Sequence, residues 1–130
     1  MITPSTRRTL ARVVFPLYAL LLVTATHWPN LTFNGPVPRT DLWIHILAFG
    51  TWATLFALTE YTGHSNRQRS LNLAWLVAVL YATLDETTQG LPGIHRTVAF
   101  DDWLGNALGI TLAWGVLSIL ARRGRRAPLS

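Results

Sequence analysis

The sequence has no cysteine, so neither a disulfide nor a thiol nucleophile is available, and the redox compartment leaves no mark. It has no lysine either: all 11 basic residues are arginine. Charge of any kind is scarce. Charged residues make up 13% of the 130, against about 25% in an ordinary soluble domain. There is no internal repeat and no low-complexity tract, and polar linkers are short. What fills the chain is apolar: 50% of the residues are hydrophobic and six are tryptophan. These proportions describe a small integral membrane protein of one domain, residues 1–130.

Four apolar runs follow one another: Val13–Trp28, Leu42–Leu58, Leu71–Leu84 (continuing as helix to Gln89) and Trp103–Ala121. At about 1.5 Å per residue they just reach across a hydrocarbon core of roughly 30 Å. The third run is the shortest. It spans only if its polar C-terminal end sits at the interface or inside a bundle. Pro16 falls in the first turn of the first run, where a missing N–H is tolerated. Thr40 or Asp41 is placed to cap the second, and Asp101 to cap the last. Breakers mark the loops: Pro29, Gly35, Pro36 and Pro38, then Gly90, Pro92 and Gly93. The first run follows Arg7 and Arg8, as a signal peptide would, but His27-Trp28-Pro29-Asn30 offers no small-x-small cleavage pattern. It reads as an uncleaved span. The fold class is therefore an all-α, polytopic bundle of about four transmembrane helices.

The arginines orient it. Arg7, Arg8, Arg12, Arg67, Arg69, Arg122, Arg123, Arg125 and Arg126 all fall on one side of a four-span chain, leaving Arg39 and Arg96 on the other. Basic residues mark the cytoplasmic side, so both termini are expected there, in the inner (plasma) membrane of a bacterium. The calculated pI of about 11.1 is a topology signal and not a nucleic-acid footprint. The acids mirror the arginines. Only Glu60 lies on the cytoplasmic side; Asp41, Asp85, Glu86, Asp101 and Asp102 crowd the outer helix ends. His27, His45 and His95 join them, and His64 does not. A charged residue at a helix centre costs roughly 2.5–3.5 kcal/mol on insertion scales. Charges beside hydrocarbon therefore tend to be paired, wet or functional.

Spacing groups these residues. Asp41 and His45 are four apart and share a helix face, where a carboxylate can orient an imidazole. Asp85 and Gln89 share another, with Glu86 beside them. Acids at a helix C-terminus oppose the macrodipole, so local stability does not explain them. Asp102 and Asn106 share a third face. An amide inside a span normally bonds a neighbouring helix. Gly105 and Gly109 form a G-x-x-x-G packing stripe. Arg96, in the outer loop, is suited to clamp a carboxylate or phosphate, or to pair with Glu86 or Asp102. His95 reads as a plain loop residue. Trp28, Trp43, Trp103 and Tyr81 read as belt or lipid-facing residues.

Three stretches of this constellation resemble the VanZ-like family of small bacterial membrane proteins, over about residues 41–115. Asp41 through Phe49 resembles the family's D-K-x-x-H-x-x-x-[FY], with Leu42 in place of the lysine. Asp85-Glu86-Thr87-Thr88-Gln89 resembles its D-E-x-x-Q. Arg96, Asp102, Asn106 and Gly109 resemble its R-x5-D-x3-N-x2-G. The segment from Gln89 to Arg96 is one residue longer than the usual pattern. The resemblance implies a polytopic membrane protein. Glycopeptide resistance is tied to the family's founding member, and most of the family has no assigned biochemical activity.

The leading expectation is a non-enzymatic protein whose outer polar site of Asp41, His45, Asp85, Glu86, Gln89, Arg96, Asp102 and Asn106 engages an envelope lipid, a cell-wall precursor or a glycopeptide drug. Arg96 would hold an anionic group, and the acids would bind amines or hydroxyls. No cofactor, resident metal or nucleic acid is expected. The alternatives are an intramembrane metal-dependent hydrolase or transferase, a cation-coupled transporter, and a structural polar cluster without ligand. Against catalysis, H-E-x-x-H, the E-E-x-x-x-R with F-x-x-x-H pair, and K-x6-R-P are all missing. Against transport, the first span carries no acid.

Overall fold

The computed structural model describes residues 3–29, 31, 35–36, 38–63, 66–94 and 96–126. His64 and His95 lie outside the described residues. Four helices follow in order: α1 (Pro4–Thr26), α2 (Thr40–Thr59), α3 (Arg67–Gln89) and α4 (Phe100–Arg126). Among the described residues there is no strand.

α1 begins nine residues earlier than its apolar run, because Thr3 and Pro4 supply a start signal. The Thr3 hydroxyl accepts from the Thr6 N–H at 3.2 Å, and Pro4 occupies the first turn, where no N–H is needed. Pro16 consequently lies in the helix interior instead of the first turn. α2 is not capped by Thr40 or Asp41. Its N-cap is Arg39, in the left-handed conformation (φ 56°) and without a side-chain cap bond, so Asp41 sits in the first helical turn. α3 starts on Asn66, whose side-chain oxygen accepts from Gln68 N and Arg69 N. α4 carries Asp101 and Asp102 in its first turn, where the helix dipole favours negative charge.

The helices run antiparallel in sequence order. Arg12 Nε donates to the Thr59 carbonyl at 3.0 Å, and Gln68 Nε2 donates to Ser118 Oγ at 3.0 Å, so the arginine-rich ends lie together. Thr26 Oγ1 donates to Asp85 Oδ1 at 3.0 Å, which joins the opposite ends of α1 and α3. α2 is central and packs on all three neighbours, whereas α1 packs chiefly on α2.

The α2–α4 seam is the closest, and glycine makes it so. A Cβ on Gly109 would collide with the Ile46 carbonyl, and one on Gly105 would lie 2.7 Å from Leu42 Cδ1. Small residues allow this approach where lipid provides no hydrophobic drive. Across the bundle, Ala78 and Ala82 of α3 are fully buried, and Phe49, Trp52 and Ile110 fill the space between helices. Tyr81 is not a belt residue. It stacks on Trp52 with ring centroids 4.5 Å apart, half inside the core.

α1, α2 and α4 are each long and apolar enough to cross a membrane. α3, with 23 residues, is about 34 Å long and has the reach. It falls short in apolarity, because Asp85, Glu86 and Gln89 lie at one end and Arg67, Gln68 and Arg69 at the other. The first three side chains are buried inside the bundle, at 3%, 2% and 1% exposure. The polar end of α3 thus faces its neighbours and not its surroundings.

Candidate functional site

The predicted polar residues gather at the end of the bundle away from the arginine clusters, but in two layers. The deeper layer is a set of buried hydrogen bonds. Asp85 Oδ1 accepts from Thr26 and Oδ2 accepts from Gln89 Nε2 at 3.1 Å, as the shared face of α3 predicts. Gln89 Oε1 in turn accepts from Arg96 Nε at 3.3 Å. Glu86 Oε1 accepts the Ala99 N–H at 2.7 Å, just before α4, and so fixes where that helix begins. Its Oε2 is buried without a partner among the described residues. Arg96 pairs with neither Glu86 nor Asp102, contrary to the simplest expectation. Its Nη1 donates to the Leu31 carbonyl at 2.8 Å, which ties the α1–α2 and α3–α4 loops together. Its Nη2 has no partner among the described residues.

The second layer lies on α2 and α4. His45 Nδ1 hydrogen-bonds Asn106 Oδ1 at 2.9 Å, and Nε2 faces Asp102 Oδ2 at 3.5 Å. The amide oxygen accepts, so Nδ1 carries the proton and the ring is fixed between the two side chains. Asp102, not Asp41, is the carboxylate that faces this imidazole. Asn106 is fully buried, and its Nδ2 has no partner among the described residues. Asp41 points elsewhere. Among the described residues it forms no hydrogen bond or ion pair, while Asp101 pairs with Arg39 at 2.6 Å.

Between α1 and α2 these groups open onto a cavity of about 710 Å³. Its polar end is formed by Arg96, Asp41, Asp102 and His45, with Arg39 at the rim. Its walls are apolar: Leu21, Leu22 and Ala25 on one helix, Ile44, Ala48 and Phe49 on the other. Asp85, Glu86, Gln89 and Asn106 do not line it. The eight predicted residues therefore divide into four that face the cavity and four that support it.

Two contributors escaped the sequence. Thr26 binds Asp85, and His27 bonds Thr88 Oγ1 through Nε2 at 3.0 Å with Nδ1 3.8 Å from Asp85. Both close the first apolar run, outside the three motif stretches, and nothing in spacing alone joins them to residues some 60 positions on. Among the described residues no three His, Asp or Glu side chains are arranged to hold a metal ion.

A family model described as VanZ/LLP1 matches residues 6–121. The chain belongs to the VanZ/LLP1 family. The match runs well beyond residues 41–115 and takes in α1. Both walls of the cavity thus lie inside the region shared with the VanZ/LLP1 family, as do both polar layers. No curated protein matches the chain, and no solved structure does.

Proposed function

We propose that this protein binds the head group of a cell-envelope amphiphile, a lipid or a lipid-linked wall precursor, at the outer face of the plasma membrane, without chemical conversion. The observation that carries this reading is the cavity between α1 and α2: charged and hydrogen-bonding groups at one end, and along the rest chiefly aliphatic side chains with Phe49 and Tyr18, whose hydroxyl donates to the Ala48 carbonyl. Its size falls in the range of roughly 300–1,000 Å³ usual for small-molecule sites. Arg96 supplies unspent donors for an anionic group. Asp41 supplies an unspent acceptor, and His45 with Asp102 lies beside them. The deeper network holds Arg96 in place through Gln89 and Leu31. The arginine bias supports an outward-facing site with both termini inside. A lipophilic glycopeptide is also an amphiphile, so drug resistance would be one consequence of such binding.

The test is native mass spectrometry on protein extracted from its own membranes, wild type beside Arg96→Ala and Asp102→Asn. A retained amphiphile that is lost from folded variants is the expected result. Bare protein in every case, with variants that differ only in stability, would refute it.

A second reading has its own support. Asp85, Glu86 and Gln89 are bonded to one another's neighbours in a buried network, as a structural lock requires. We assign that role to the deeper layer alone.

A further inference from the structure

The charges at the cavity mouth are of both signs, and each sign has an unspent member. Arg96 keeps Nη2 free among the described residues, with Nε and Nη1 held by Gln89 and Leu31. That leaves one edge of a fixed guanidinium for an anionic oxygen. Asp41 has no hydrogen-bonding or ion-pair partner among the described residues, and Asp102 has only the long 3.5 Å approach to His45. Asp41, Asp102 and Arg96 line the same cavity, so the three can act on one ligand.

A ligand with a purely anionic head would satisfy Arg96 but would bring like charge to Asp41 and Asp102. A purely cationic one would do the reverse. A quaternary ammonium has no N–H to give to a carboxylate. A primary ammonium next to a phosphate meets all the requirements.

Below the mouth, the groove on α1 runs from Thr26 to Tyr18, about 12 Å of helix. One leaflet's hydrocarbon is about 15 Å deep, half the core. The groove therefore accommodates one extended acyl chain over most of a leaflet. Leu21 lines the groove and is 65% exposed, so the groove is open toward the membrane side of α1.

We infer that the cavity takes a zwitterionic phospholipid with a primary ammonium head group, its phosphate on Arg96, its ammonium between Asp41 and Asp102, and one acyl chain laid between α1 and α2. This rests on the amphiphile-binding reading above and names its ligand class.

The experiment is lipid retention by the full chain in detergent micelles. The micelles are titrated in parallel with phosphatidylethanolamine, N-acetylated phosphatidylethanolamine, phosphatidylglycerol, phosphatidylcholine and the chainless glycerophosphoethanolamine. Bound lipid is read by native mass spectrometry. Phosphatidylethanolamine should be held at least about tenfold more tightly than the other four, the scale of one charge-assisted hydrogen bond. Asp41→Asn with Asp102→Asn should erase that preference, and Arg96→Gln should weaken every phospholipid. Leu21→Trp, at an exposed position where folding is insensitive, should narrow the groove and reduce chain-bearing ligands alone. Equal retention of phosphatidylethanolamine and its N-acetylated form overturns the ammonium assignment; if retention still depends on Arg96, the broader amphiphile reading stands. Glycerophosphoethanolamine bound as well as the full lipid overturns the chain assignment. No saturable binding of any of them overturns both readings.

Discussion

The two ends of this bundle are both polar, yet they are built on opposite principles. At the arginine-rich end, Glu60 meets Arg8 at 3.3 Å and Arg67 at 3.9 Å, with its side chain 37% exposed. At the other end, the Asp85 side chain is fully buried and is held by Thr26 and Gln89. Exposed ion pairs are worth about 0–1 kcal/mol, because water and salt compete for both partners. A buried polar group left without a partner costs roughly 1–3 kcal/mol. One end therefore tolerates change. The other end is specified residue by residue, and there a cavity is lined by unspent charges of both signs, Arg96 and Asp41.

The comparison can be broken most drastically at the seam that holds both ends. Gly109→Val places carbon against the Ile46 carbonyl, and a backbone atom cannot swing aside. Overpacking costs about 1–3 kcal/mol even where side chains can adjust, so here the loss should be larger. The expected outcome is loss of the monodisperse peak on size-exclusion chromatography. A stable, well-behaved variant would show that α2 and α4 are not in close contact.

Asp85→Ala comes next. It orphans Gln89 Nε2, at roughly 1–3 kcal/mol. It also takes from Thr26 its bond across to α3, leaving that hydroxyl with Val23 and His27 of its own chain segment. The thermal unfolding midpoint should fall clearly. Arg96→Gln should do less to stability, because its bonds to Gln89 and Leu31 are only part-buried and water can replace them, while weakening amphiphile retention. If Arg96→Gln destabilises as much as Asp85→Ala, the separation into a supporting layer and a binding layer is wrong. Glu60→Gln should have the smallest effect, under about 1 kcal/mol and vanishing at high salt, measured by the same unfolding assay. A large, salt-insensitive loss would mean that the exposed end is as tightly specified as the buried one.

Much of the site was legible because helical spacing is local. Asp85 with Gln89, and Asp102 with Asn106, lie four apart, and a helix brings such pairs to one face. Their cross-helix partners followed from no such rule. Asp41 and His45 share a face, yet Asp102 on another helix is the carboxylate at the imidazole. Tyr81 reads from the sequence as a belt or lipid-facing residue, but its ring packs against the core. Its hydroxyl lies within electrostatic range of Asp85 without bonding it. The N-terminal extension of α1 was signalled by Thr3-Pro4, a capping pattern that hydropathy alone overlooks.

The sequence by itself determined the helical class, the apolar spans, the side to which arginine points, and the identity of the polar residues at the opposite end. Those properties depend on composition and on a period of 3.6 residues, both of which a chain carries without folding. Tertiary structure alone decided which oxygen faces His45, why α3 can bury two carboxylates, and where a cavity opens. Each of those depends on how closely helices distant in sequence approach, and at the α2–α4 seam that distance is set by Gly105 and Gly109.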